Sequence, residues 1–322
     1  MRFLFYLIIF LCSGQTVYSQ TCCSGGVPLS SNLGLPAGEK GVLQLAFTYD
    51  LNILETLKTG RETLEDDARS RRTHSTIFEI GYSWSDRFSV DGFFSFVRQE
   101  RVINQFGNTN FSTTSGIGDA VLLFKYKILS NANNGTVLQI GIGPKIPIGA
   151  SDKTSSAGLT FNADLQPGSG AWDAVSFLQF TQVLKKRPSM SFLATATYGI
   201  KGKNRAYFGV QTYQFGNEFQ IALGLSDRIL LGKSIVDPSI LFQYRNQTPD
   251  IIDAENLPST GGNWVFVNPS FAYWATPDFS VNVGVALPLF SSITGTQVTP
   301  TVRFTTGVFY RIDTRKNELI KF

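Results

Sequence analysis

A two-residue alternation of apolar and polar side chains, sustained far longer than a soluble sheet needs, constrains this chain most. Residues 73–96 show it. Phe78, Ile80, Tyr82 and Trp84 occupy every second position, and after Ser85-Asp86 the beat resumes with Phe88, Val90, Phe94 and Phe96. Successive strand side chains point to opposite faces, so each run reads as a strand with one apolar face. The beat begins after Gly41 with Leu43, Leu45, Phe47 and Tyr49. It returns over 120–128, 138–145, 190–199, 218–225, 239–245, 279–287 and 302–310. Two runs are less regular. Residues 172–183 fit either face, and Asn268-Pro269 interrupts 264–275, where a bulge is expected.

These runs make about twelve strands of roughly 9 to 14 residues. Soluble strands average about 5 or 6, whereas a tilted membrane strand needs about 9 to 11. The connections alternate in length. Short ones lie near 85–87, 130–135, 184–189, 232–236 and 276–278, and longer ones at 52–72, 99–115, 147–171, 202–216, 246–263 and 291–297. An even strand count with sorted connections is the pattern of an outer-membrane barrel, with short turns in the periplasm and long loops outside. Backbone groups in lipid must be paired, so such a sheet has to close. The expected fold is therefore all-β, a transmembrane antiparallel up-and-down β-barrel of about 12 strands. Tyr82, Trp84 and Phe88 bracket one short turn and Tyr273, Trp274 and Phe279 another, as an interfacial girdle would. A large secreted β-sandwich would turn the same faces inward, but explains neither the strand length nor the sorted connections.

Composition agrees. Phe numbers 27 and Gly 30, charged residues make up 16%, and the net charge of +4 comes without a basic block, which excludes a nucleic-acid partner. Residues 1–19 read as a signal peptide: Arg2, an apolar stretch over 3–11, then Val17 and Ser19 before the cleavage point. Cys22 and Cys23 then remain, too few for a disulfide framework. Residues 20–40 form a Gly/Pro/Ser-rich lead-in, either a plug for the lumen or a periplasmic tail. The barrel is expected over 41–312 and a tail over 313–322. Residues 52–72 carry five acids and five bases and read as a solvated loop.

Three segments, "SGIGDAVLLFKYKIL", "LQIGIGPKIPIGASD" and "LQPGSGAWDAVSFLQF", carry a family resemblance. In that order they resemble the outer-membrane barrels grouped with the meta-pathway of phenol degradation. The shared elements are Gly118-Asp119, then Gly143, Pro147 and Gly149, then Trp172-Asp173. The lead-in "CCSGGVPLSSNLGLP" looks like the start of related proteins in Bacteroidota. The resemblance implies a transport-type barrel for small hydrophobic or aromatic molecules and supplies no catalytic motif. The segment "TTGVFYRI" looks like the signal read by the barrel-assembly machinery, although the chain continues past it to Phe322.

Nothing in the sequence points to an enzyme or a cofactor. His74 is the single histidine, which excludes multi-histidine metal sites, and it reads as an ordinary loop-edge residue. The alternation turns Glu79, Asp91, Asp119, Lys125, Lys127, Lys145, Gln220, Gln243, Arg245 and Arg303 into the lumen. Charges there must be paired or wet, which suits a salt-bridged plug of side chains. They also suit a constriction in which Lys125 and Arg303 oppose Glu79 and Asp91. The expected protein is a bacterial outer-membrane barrel, in contact with lipid, passing a small hydrophobic or aromatic solute. The alternative is a closed barrel that binds ligands or partners through its extracellular loops.

Overall fold

The computed structural model describes residues 38–317 apart from 106, 132, 134 and 233. The signal segment, the lead-in through 37 with Cys22 and Cys23, and the tail from 318 lie outside the described residues. Twelve long strands follow: β1 (Val42–Thr59), β2 (Arg69–Ser83), β3 (Phe88–Gln105), β4 in two segments (Asn108–Ile117 and Ala120–Asn131), β5 (Thr136–Ile146) and β6 (Asp173–Leu184). The second half comprises β7 (Arg187–Ile200), β8 (Glu218–Asp227), β9 (Ser234–Gln247), β10 (Gly262–Thr276), β11 (Phe279–Ser292) and β12 (Thr296–Asp313). Each pairs antiparallel with the next, and β12 pairs with β1 to close the barrel. The expected fold class and strand count are both observed.

Burial separates the two faces as a membrane barrel requires. On β2, Phe78, Ile80 and Tyr82 are exposed, while Ile77, Glu79 and Ser83 are buried. The same holds on β3 for exposed Phe94 and Phe96 against buried Asp91, Phe93 and Ser95. A soluble barrel or sandwich would bury the rings and expose the acids. The aromatic faces therefore meet acyl chains.

Three local expectations need correction. Residues 52–72 are mostly strand, because β1 and β2 continue past the apolar zone as a paired arm, joined by a short strand Glu62–Leu64. Backbone pairing outlasts the lipid there, and charged side chains on water-facing strands cost little. The bulge expected at Asn268-Pro269 lies instead between Val265 and Phe266; at Asn268 and Pro269 the ladder to β11 lapses and resumes at Ser270 without a shift. His74 is not at a loop edge. It sits within β2 opposite Leu51, on the outward side, with its Nδ1 2.7 Å from the Tyr49 hydroxyl.

The ambiguous run 172–183 forms β6, and its double-faced character has a cause. Val175 and Phe177 point inward and join Phe93, Val121 and Leu123 in a buried cluster inside the barrel. Over the loop end, a small sheet of Lys203–Tyr207, Gln211–Gln214, Ile251–Ile252 and Glu255–Asn256 covers part of the mouth.

Phe94 lies on the outward face near the middle of the lipid-spanning part of β3. Phe94→Arg is expected to lower the unfolding free energy in lipid vesicles by about 2–4 kcal/mol. Denaturant titration followed by tryptophan fluorescence checks it.

Candidate functional site: the barrel interior and its cover

Two neighbouring strands place the central ion pair. Asp91 on β3 and Lys125 on β4 both point inward, and Lys125 Nζ lies 2.6 Å from Asp91 Oδ2, with each side chain only 1% exposed. Lys125 has room because its partner across β5 is Gly141, where an added Cβ would stand 3.1 Å from Lys125 Cγ and 3.2 Å from Leu123 Cγ. The ammonium also lies 5.9 Å from the centre of the Phe177 ring. Glu79 is buried beside Phe93 and Ala46 on the adjoining strands, and makes no hydrogen bond or ion pair among the described residues. Arg303 does not oppose Glu79 or Asp91 as the sequence suggested. Its Nε donates to Asp50 Oδ2 at 2.6 Å, one strand away on β1. Asp50, only 1% exposed, was not singled out from the sequence. Near the loop end, Arg245 meets Glu218 at 2.6 Å, and Gln243 donates to Gln220 at 2.6 Å. Lys127 lies towards the other end and reaches the Gly38 carbonyl at 3.1 Å.

The interior is asymmetric. From β3 to β6 it carries the large cluster around Phe93 and Phe177 together with the Asp91–Lys125 pair. At mid-height from β8 round to β1 most inward positions are small: Ala222 and Gly224, Ser239, Ser270 and Ala272, Asn282 and Gly284, Thr305 and Gly307, then Ala46 and Thr48, with buried Leu241 the large exception opposite Gly224. One wall is filled, and the facing wall is lined at this height mostly by small side chains, interrupted by Leu241 and by the Arg303–Asp50 pair.

The connection 147–172 closes the loop end on itself. It turns into the mouth, so that Leu165 and Gln166 are 0% and 1% exposed. Three inward side chains from successive strands hold it. Arg71 Nη1 on β2 reaches Asp164 Oδ2 at 2.6 Å, and Arg71 also donates to the Asp164 carbonyl. Gln99 on β3 donates to the Gln166 carbonyl at 3.1 Å, and Thr114 on β4 to the Leu165 carbonyl. The base of the connection is fixed by Asp119, at the break between the two segments of β4. Asp119 accepts from Lys145 at 2.7 Å, from the Ser169 hydroxyl at 2.6 Å and from the Gly149 backbone at 3.2 Å. Lys145 and Lys201 both face Asp173, at 3.0 and 3.5 Å. The backbones of Gly149 and Gly168 approach so closely that a Cβ on either would collide with the other. The Gly-Asp, Pro-x-Gly and Trp-Asp signatures of the sequence thus converge on one buried charge cluster. Arg71, Asp164 and Ser169 were not singled out from the sequence, because their meeting depends on the path of a loop.

Above this, the cap holds a second core of Ala163, Tyr207, Tyr213 and Phe215. Asp250 ties it together: it accepts from the Tyr213 hydroxyl at 2.5 Å and from the Gly216 backbone at 2.8 Å. Burial pushes the Asp250 carboxyl up to about 6, against the pull of those two hydrogen bonds. Burial likewise raises the Tyr213 hydroxyl, helped by the charge of Asp250.

A family model described as the MetA-pathway of phenol degradation matches residues 66–289. Among solved structures, the chain is similar to an outer-membrane channel from Pseudomonas putida F1, with a TM-score of 0.68 and 13% identity over 89% of this chain and 100% of that one. It also aligns with the β domain of the Bordetella autotransporter BrkA, at a TM-score of 0.48 and 12% identity over 85% of this chain and 100% of that one. No curated protein matches. The first of these likenesses shows the fold, that of an outer-membrane barrel.

Lys125→Met leaves Asp91 buried without its cation, and is expected to cost about 3–5 kcal/mol in unfolding titrations. Adding Asp91→Leu is expected to recover most of that loss. A second expectation concerns pH. Because the folded Asp250 carboxyl titrates above its ordinary value of 3.8, its contribution is fully present below that value and is lost as pH rises through about 6. The cap should therefore be cut faster by protease at pH 7.5 than at pH 5, with rates referred to an unstructured substrate. Asp250→Asn should flatten that difference.

Proposed function

The chain belongs to the family described as the MetA-pathway of phenol degradation, and from that premise we propose that it is a passive outer-membrane conduit for small hydrophobic or aromatic molecules. One observation carries the reading. The strip of mostly small side chains from β8 round to β1 faces a filled wall, and in this reading it forms a narrow lane for the solute along one side of the lumen. A ring-sized apolar solute suits such a lane better than a hydrated ion, which charged rings would have to re-solvate. In this reading the short turns lie in the periplasm and the long loops outside. Export relies on the signal segment, and insertion on the barrel-assembly machinery. Passage needs no catalytic residue and no cofactor. In this reading Glu79, Asp91 and Lys125 bound the lane beyond its β1 edge, and the Arg303–Asp50 pair lies within it on β12 and β1. The connection 147–172 acts as its outer cover, held through Arg71 and Asp164.

A second reading rests on that same cover. The mouth is sealed by buried hydrogen bonds, and a separate aromatic core stands above it. A permanently closed barrel would act through those loops on an external partner.

Uptake by proteoliposomes separates the two. Small aromatic and small polar solutes would be compared in the parent protein, in Ala46→Leu with Ala272→Leu, and in Arg71→Gln. The lane reading expects aromatic uptake to fall several-fold in the filled variant and to rise in Arg71→Gln. Absence of uptake in all three, with the proteins folded by heat-modifiability on gels, would sink the conduit and leave the loop-binding reading.

A further inference from the structure

At the turn end of the barrel, a cavity of about 370 Å³ opens between β1, β9, β10 and β12. Its apolar walls are Val42, Ile235, Trp274 and Phe309. The Trp274 and Phe309 rings meet edge to face, with centroids 6.0 Å apart at 74°. Trp274 is fixed in place: its Nε1 donates to Asp237 Oδ2 at 2.7 Å, and the Arg228 guanidinium lies 5.3 Å from its ring centre. A rigid aromatic corner of this size suits a ligand of one or two rings.

The polar groups on the cavity are mostly donors. Arg228 spends Nε and Nη2 on Asp237, at 2.9 and 2.6 Å, and Arg311 spends Nε on Asp278 at 3.0 Å. Among the described residues, Nη1 of Arg228 and both Nη atoms of Arg311 remain uncommitted. Gln44 also lines the cavity, is only 5% exposed and makes no hydrogen bond among the described residues. Its amide atoms are not sealed within the protein, so they face the cavity and can both donate to and accept from an occupant. The one lining acid, Glu39, is 69% exposed and lies 3.5 Å from Arg315, so its charge is largely screened.

We propose that this cavity is a binding site for a small aromatic carboxylate. Its ring would lie in the Trp274–Phe309 corner. Its carboxylate would accept from the free Nη groups of Arg311 and from the Gln44 amide, with Arg228 at the edge. Charge-assisted hydrogen bonds from a planar guanidinium favour a carboxylate over a neutral head group. The inference concerns one end of the barrel and stands apart from solute passage.

Fluorine NMR on the folded full-length barrel in detergent tests it, with para-fluorobenzoate titrated against para-fluorobenzyl alcohol. The expected result is a saturable shift for the benzoate and at least tenfold weaker binding of the alcohol. Gln44→Leu and Arg311→Gln should each weaken benzoate binding about tenfold without loss of heat-modifiability, while Trp274→Phe should keep most of it. Equal binding of the two probes overturns the proposal, as does benzoate binding indifferent to both polar substitutions or no saturable binding at all. Binding that appears only after removal of residues 20–37 also overturns it, because the chain's own lead-in would then be the occupant.

Discussion

In hydrocarbon, an unpaired backbone N–H or C=O costs several kcal/mol, and the whole architecture here answers that cost. The ladder runs from β1 through each successive strand to β12 and returns to β1, so no lipid-facing edge is left. Where pairing does lapse, something else fills the gap. Above Ala286 and Arg303 the β11–β12 ladder ends although both strands continue, and Leu54, Trp264, Phe266 and Ile293 pack together there as a buried cluster. Beside the first segment of β4, which pairs only with β3, lies the inturned connection 147–172, with Pro167 against Gly116.

Closure then dictates the interior. Each inward position of a narrow barrel must be filled, paired or left small. The chain uses all three, sorted by wall rather than mixed. Glu79 aside, the charges of the lumen wall appear with a counterion one strand away: Asp91 with Lys125, Arg303 with Asp50, Glu218 with Arg245. Cross-strand neighbours are the geometry a sheet offers, so pairing along the wall costs less side-chain reach than pairing across the lumen. That is why the opposition of Arg303 to Glu79 and Asp91 is not formed. The alternation gives the face of a residue but not its partner.

What could be read from the sequence follows from range. Period two is a local property, and it revealed the strands, their faces, their number and the lipid-facing rings. The inward placement of Lys125, Lys145 and Asp119 came from the same source. Relations that depend on a long connection were not legible. Arg71 meets Asp164 across 93 positions of chain, and only the folded path of 147–172 brings them together. The charged arm at 52–72 misled for a different reason. Charge argues for water, and water was read as loop, yet a β-ladder extends beyond the membrane while its backbone bonds still pair.

The two ends of the barrel differ in how they are closed. At the loop end, Arg71, Gln99 and Thr114 hold backbone carbonyls of one connection, and Asp119 anchors its base through four donors on Lys145, Gly149 and Ser169. Loosening that end requires breaking several buried hydrogen bonds together. At the turn end there is an open cavity, with aromatic walls and a guanidinium pair whose donors are only partly used. An end whose cover is held by a cluster of hydrogen bonds and an end that opens as a cavity differ in what they admit. The first opens only when its cover moves, whereas the second presents its aromatic walls and guanidinium groups without any such movement.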